Sequence, residues 1–160
     1  MHTRLSRCTA HIRLSVCALF VLVGFTTNSA ADERAATRTI QSVIDEMRGQ
    51  LALPAQVTAS IVPANDLLVS VAPVTGRTQF VMSFQESFLD GLNPDELRTI
   101  VAHELGHVWI FTHHPYLQTE RGANDVAMRV VSREHLERVY ARVFANLGVK
   151  GDMTLFLPQH

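Results

Sequence analysis

Apolar positions recur along the chain with two different periods, and the change of period predicts the order of helices and strands. From residue 35 to about residue 50 the apolar residues fall three or four apart, which is typical of an amphipathic helix, and Pro54 follows. Because the connections between the next β-rich segments are short, we expect them to form a small antiparallel sheet. A short helix over residues 84–92 comes after them. The three predicted strands cover residues 56–62, 67–73 and 78–84.

A strong helix start divides this sheet from the C-terminal half of the chain. Asn93 can cap the helix, Pro94 suits its first turn, and Glu96 can complete a capping box. After a loop, the apolar spacing predicts one last long helix, which begins near Glu120 and stops at Gly148. The order of helix, small sheet, helix and helix predicts an α+β domain.

The N-terminus has the pattern of an export signal. A basic start without acidic residues precedes an apolar run over residues 14–25, which is too short to span a bilayer. The small residues that follow suit cleavage by signal peptidase after Ala31. We therefore expect a signal peptide over residues 1–31 and one mature domain over residues 32–160, periplasmic or secreted. An uncleaved N-terminal anchor is the alternative.

Composition limits the chemistry of the mature chain. Both cysteines, Cys8 and Cys17, lie in the predicted signal, so any metal must be held by nitrogen and oxygen ligands. Without the signal's three arginines, 11 basic residues face 15 acidic ones, a net charge of −4. This balance favours neither nucleic acid nor an anionic membrane as a partner. The mature length suits one domain with a single core.

The motif His103-Glu104-Leu105-Gly106-His107 carries the clearest chemistry. Two histidines spaced i, i+4 share one face of a helix and can bind one metal ion, while Glu104 can act on a metal-bound water. The apolar neighbours predict a buried helix, where polar groups without a metal would cost several kcal/mol. We expect His103 and His107 to bind one zinc ion and Glu104 to act as general base in a peptidase.

A catalytic zinc site needs a third protein ligand, and two residues are candidates. His113 has the spacing of the HExxHxxGxxH metzincins, but Ile110 stands where those proteins need a glycine to turn the backbone. Glu120 is the better candidate, because an antiparallel return can bring its carboxylate beside both imidazoles. One turn later, Asn124 can accept a hydrogen bond from a ligand imidazole. Asp125 is a second option for that role, but it points away around the helix.

These residues resemble known metallopeptidases. The segments 92–97 (LNPDEL) and 100–107 (IVAHELGH) resemble the central helix of gluzincins of the HtpX and CAAX-prenyl-protease group. The Glu-x-x-Ala-Asn stretch from Glu120 to Asn124 is similar to their Glu-x-x-Ala-Asp element, and more similar to that of ImmA/IrrE-type peptidases. The small size resembles the minigluzincins, which keep a minimal zincin core. The likeness spans roughly residues 78–131.

The resemblance implies the zinc ligands given above, Glu104 as catalytic base, and residues 78–84 as an edge strand along which an extended peptide binds. Two departures accompany it. Asn124 replaces the usual aspartate, which should weaken the polarisation of its partner imidazole. The membrane helices of the HtpX group have no counterpart in the mature chain, so we expect no stable membrane span.

An oxyanion-stabilising group is also expected, since zinc alone rarely supplies all of that stabilisation. Arg129, His135 and Tyr140 are candidates. On a straight last helix, however, His135 and Tyr140 would lie more than about 20 Å from Glu120, so the assignment stays open.

Three hypotheses follow for the function. The first is an exported zinc metalloendopeptidase acting on peptides or proteins. The second is a catalytically weak or inactive zincin-like protein that binds peptides or acts as an adaptor in the periplasm. The third is a latent protease, in which the first helix or the C-terminal tail covers the cleft.

Overall fold

The computed structural model describes residues 26–157, and the α+β class predicted from the sequence is confirmed. A short 3-10 helix, Met153–Leu155, ends this part of the chain. The helices within it are α1 (Thr26–Gln50), α2 (Glu86–Leu89), α3 (Pro94–His113), α4 (Glu120–Ala127) and α5 (Arg133–Leu147). The strands are β1 (Gln56–Val62), β2 (Val69–Thr75) and β3 (Gln79–Gln85).

The predicted signal peptide lies outside the described residues, apart from residues 26–31, which belong to α1. The first helix therefore begins nine positions before the predicted start at residue 35. Across residues 26–157, every helix is too short or too polar to cross a membrane.

The three strands form a mixed sheet in the order β1-β3-β2, so the prediction of a purely antiparallel sheet is wrong. β2 pairs with β3 antiparallel, whereas β1 pairs with β3 in parallel, with Val57 opposite Phe80. The parallel pair is possible because the connection from β1 to β3 contains β2, which makes it long enough for a crossover. The predicted edge strand, residues 78–84, is instead the centre of the sheet. β2 is an edge.

α1 covers the other edge of the sheet through one glutamine. The side chain of Gln41 donates to the carbonyl of Val57 (3.0 Å) and accepts from the backbone N–H of Ala59 (2.9 Å). These are two of the outward-facing backbone groups of β1 that an added strand would use. Another strand can therefore pair with this sheet along β2.

α3 runs through the core and begins as the sequence predicts. Asn93 Oδ1 accepts from the backbone N–H of Glu96, and the carboxylate of Glu96 accepts from the backbone N–H of Asn93, both at 2.9 Å. Arg142 on α5 donates to the same carboxylate (2.8 Å) and to the carbonyl of Gly91. The apolar face of α3 is fully buried against the sheet and α1, with Ile100, Val101, Leu105 and Val108 in the core.

The single long C-terminal helix predicted from the apolar spacing is wrong, because the chain breaks between Ala127 and Arg133. The N–H groups of Val130 and Val131 both bond to the carbonyl of Ala127, which closes α4 with a turn. Ser132 then caps α5 by accepting from the backbone N–H of His135. α5 packs back against α3 and ends at Gly148, the predicted stop, whose φ is +66°.

Candidate active site

α3 and α4 come unusually close where the candidate ligands lie. A Cβ on Gly106 would meet the carbonyl oxygen of Ala123 at 2.3 Å, so only glycine permits this approach. Thr119 caps α4 by accepting from the N–H of Gly122, which makes Glu120 its first residue. The contact between Gly106 and Ala123 therefore determines where Glu120 lies relative to α3.

The structure brings His103, His107 and Glu120 together in one cluster. The two Nε2 atoms lie 3.2 Å apart, and oxygens of Glu120 lie 3.2 Å from His103 Nε2 and 3.5 Å from His107 Nε2. Ligands at 2.0–2.1 Å from a tetrahedral zinc ion lie about 3.3 Å from one another. Each imidazole nitrogen therefore has the other nitrogen and one oxygen of Glu120 at about the separation of two zinc ligands, Oε2 for His103 and Oε1 for His107.

The proton position on His103 is fixed by Asn124, a fully buried residue. The amide nitrogen of Asn124 donates to the hydroxyl of Tyr140 and to the carbonyl of Phe156, both at 2.8 Å. This arrangement turns the amide oxygen towards His103 Nδ1, 2.8 Å away. Because an amide oxygen only accepts, Nδ1 carries the proton and Nε2 keeps a free lone pair in the cluster.

Gln118 holds His107 in the same way, and sequence reasoning missed it. Its amide nitrogen donates to the carbonyl of His107, and its oxygen accepts from His107 Nδ1, both at 3.2 Å. Gln118 lies in a loop without a periodic pattern, so its position two residues before Glu120 was the sole available signal. Both Nε2 lone pairs therefore face each other and a carboxylate, an arrangement that a cation stabilises.

The electrostatics of the cluster favour positive charge. The pKa of Glu120 is held far below its usual range, chiefly by its contact with the imidazole of His103 and then by its contact with that of His107. Burial lowers the pKa of His107, but its contact with Glu120 and the charge of Glu104 outweigh burial and raise the pKa overall. The Glu120 carboxylate therefore stays ionised, and its negative charge favours a cation between the two imidazoles.

Glu104 lies beside this cluster and is 8% exposed. Burial raises the pKa of its carboxyl, while the charges of His103 and His107 and a hydrogen bond from the Val71 backbone oppose that rise. A buried carboxylate whose pKa is moved upward is a better base for water than an exposed one.

The cluster lies in a cleft of about 560 Å³ between α3, α5 and β2, a size typical of ligand pockets. Most of its wall is apolar. The apolar side chains that line it include Val69, Val71, Ile100, Leu136, Val139 and Phe156. β2, at the open edge of the sheet, forms one side of this cleft.

Several candidates from the sequence lie outside the cluster. His113, which we rejected as a ligand, stacks on the ring of Trp109 with centroids 4.2 Å apart. The guanidinium of Arg129 covers the same ring at 4.7 Å. Arg129 and His135 line a different surface pocket, and Asp125 is exposed.

Tyr140, by contrast, lies in the cleft, and the expectation that it is remote from Glu120 is wrong. Its hydroxyl is 3.5 Å from Glu120 Oε2, and its ring centroid is 5.9 Å from that of His103. The error came from treating α4 and α5 as one straight helix. Burial raises the pKa of Tyr140 well above its ordinary value, so the hydroxyl keeps its proton.

No family model matches this chain, and no curated protein matches it in sequence. Among solved structures, the chain is similar to the metallopeptidase zymogen of Pyrococcus abyssi abylysin, at 15% identity and a TM-score of 0.50, over 71% of this chain and 99% of that one. It is similar to the metallopeptidase zymogen of Methanocaldococcus jannaschii jannalysin at the same identity and TM-score, over 68% and 96%. The protein therefore shares the fold of these two metallopeptidase zymogens. The finer HtpX-like or ImmA/IrrE-like resemblance stays a prediction.

Proposed function

We propose that this protein is an exported, zinc-dependent metalloendopeptidase of the gluzincin type. The observation that carries the proposal is that the Nε2 atoms of His103 and His107 and the carboxylate of Glu120 converge on one point. Each imidazole donates its Nδ1 proton to an amide oxygen, which leaves its Nε2 lone pair available for a metal. His103, His107 and Glu120 would hold the ion, and the buried carboxylate of Glu104 lies next to it. The metallopeptidase fold of the solved neighbours supports the same function.

His103, His107 and Glu120 would hold a zinc ion, which when bound would supply Lewis-acid chemistry to a water molecule and to the scissile carbonyl. A carboxylate oxygen of Glu104 takes the proton from the attacking water and delivers it to the departing amine. Asn124 and Gln118 keep the two imidazoles in the tautomer that binds metal. The side chains of this site thus perform positioning and proton transfer.

The substrate in this proposal is an extended peptide that pairs along β2. This edge has few free backbone N–H groups. Pro73 has no N–H, the N–H of Val69 bonds to the carbonyl of Leu67 (2.7 Å), and that of Val71 bonds to Glu104. A bound peptide would therefore donate its N–H groups to carbonyls of β2, and the apolar wall of the cleft favours apolar side chains near the cleaved bond.

The decisive test combines metal analysis with cleavage of a diverse peptide library. We expect about one zinc ion per chain and cleavage next to apolar residues. Glu104→Gln should retain the metal and lose cleavage, because it keeps the shape of the side chain but removes the base. Glu33→Gln, a change of the same kind at an exposed position on α1, should cleave normally.

Two outcomes would overturn the proposal. Cleavage by Glu104→Gln at the wild-type rate would remove its mechanism. A zinc-loaded, folded protein that binds peptides but cuts none would favour the alternative, a catalytically inactive zincin-like binding or adaptor protein in the periplasm. Export is tested separately, by sequencing the N-terminus of the protein recovered from expressing cells, which we expect to begin at Asp32.

A further inference from the structure

We propose that Tyr140 is a catalytic residue that stabilises the oxyanion formed when water attacks the scissile carbonyl, by donating a hydrogen bond from its phenolic hydroxyl. The inference rests on the proposed peptidase function. Of the three candidates that the sequence offered for this role, Tyr140 is the one that lines the cleft. Arg129 is engaged with the ring of Trp109, and His135 faces the separate surface pocket.

The direction of the hydroxyl proton follows from Asn124. The amide nitrogen of Asn124 donates to the oxygen of Tyr140 at 2.8 Å, which occupies a lone pair and leaves the phenolic proton to point elsewhere. Its contact with Glu120 Oε2, at 3.5 Å, is at the outer limit of a hydrogen bond. Little is therefore lost when this proton turns from Glu120 to a stronger acceptor, such as an oxyanion in the cleft.

The ring of Tyr140 is held in place before substrate arrives. It stacks on Phe156, with centroids 5.4 Å apart and planes inclined by 25°, and it meets His103 edge to face. Phe144 packs against it at 5.7 Å. A donor that is fixed in advance stabilises developing charge without reorganisation, which is the property required of an oxyanion hole. No proton is transferred in this step, since the neutral phenol donates a hydrogen bond and keeps its proton.

The matched experiment uses the two tyrosines of the chain, Tyr140 and Tyr116, the latter of which is 96% exposed. Tyr140→Phe removes the hydroxyl and keeps the packed ring, and Tyr116→Phe makes the same change on the surface. We expect Tyr140→Phe to lower kcat about 10²–10³-fold, as loss of one oxyanion donor does. KM and zinc affinity should match those of Tyr116→Phe, whereas the melting temperature should be lower, because the buried amide nitrogen of Asn124 loses one of its two acceptors.

A second measurement does not depend on turnover. A phosphinic peptide carries a tetrahedral phosphorus with an oxygen in place of the oxyanion, so its affinity for the zinc-loaded protein should also fall in Tyr140→Phe but not in Tyr116→Phe. If both variants keep the wild-type kcat and inhibitor affinity, the role of Tyr140 is overturned. It is equally overturned if Tyr140→Phe loses zinc affinity in proportion to activity, since the residue would then act only by positioning the zinc ligands.

The failure of this inference can be told apart from failure of the proposed function. A wild-type protein that cleaves peptides, together with an equally active Tyr140→Phe, overturns the inference alone. A wild-type protein that cleaves nothing overturns the peptidase function, and the inhibitor affinities of the two variants then decide whether Tyr140 supports an oxyanion.

Discussion

Replacing Asn124 with aspartate should destabilise this protein, even though the change looks conservative. Asn124 is fully buried, and its amide nitrogen is the donor to the carbonyl of Phe156 at 2.8 Å. In Asn124→Asp that contact becomes one between two acceptors. The hydroxyl of Tyr140 can turn its proton towards the new carboxylate, so that bond survives, but a backbone carbonyl has no proton to offer.

The magnitude follows from two limits. Leaving a buried acceptor without its partner costs about 1–3 kcal/mol, and more where the facing group is charged. Protonating the carboxyl would restore a donor, but holding an acid of ordinary pKa about 3.9 in its protonated form at pH 7 costs about 4 kcal/mol. We therefore expect Asn124→Asp to lower the free energy of unfolding by about 2–4 kcal/mol.

The assay is urea denaturation in the presence of chelator, which removes any effect of metal binding. Asn146→Asp is the matched control, because Asn146 also donates from its amide to a backbone carbonyl, at 3.0 Å, but at an exposed position. Its effect should stay within about 0.5 kcal/mol. If Asn124→Asp is as stable as Asn146→Asp, the carbonyl of Phe156 does not select the amide, and the reasoning fails.

Two further substitutions test the supports of the site. Gly106→Ala should lower both the melting temperature and zinc affinity, because the added Cβ would meet the carbonyl of Ala123. Gly49→Ala, with open space around it, is the control and should be neutral or stabilising by up to about 1 kcal/mol. Equal behaviour of the two variants would contradict the close packing of α3 and α4. Arg142→Met should lower the free energy of unfolding by about 1–3 kcal/mol in urea denaturation, since it leaves the buried carboxylate of Glu96 without its cation. An unchanged midpoint would show that the pair contributes no stability.

Features with a local cause could be predicted from the sequence. The capping box at Asn93 and the stop at Gly148 each depend on residues within one helical turn, and both are confirmed. His103 and His107 share one helix face by geometry alone, so their proximity needed no tertiary information. A short loop and small residues sufficed to place Glu120 near them. The fold class followed from the same local periods.

Features that depend on distant neighbours could not be predicted. Alternating apolar residues identify strands but do not reveal which strand is central, and the family resemblance wrongly implied that residues 78–84 form an edge. The continuous apolar spacing hid the break before Ser132, although its capping signal was present, and with it the position of Tyr140. The carbonyl of Phe156, 32 residues after Asn124, is a backbone atom that no side-chain pattern marks.

The two hydrogen bonds from Gln41 to β1 also govern how molecules of this protein can associate through their sheets. A fibril of stacked strands requires two unpaired edge strands on every molecule, one to pair with the preceding copy and one to pair with the next. Here Gln41 blocks one of the two edges, β1, from within the same chain. Joining through β2 would therefore end with a pair of molecules and would not continue into a fibril.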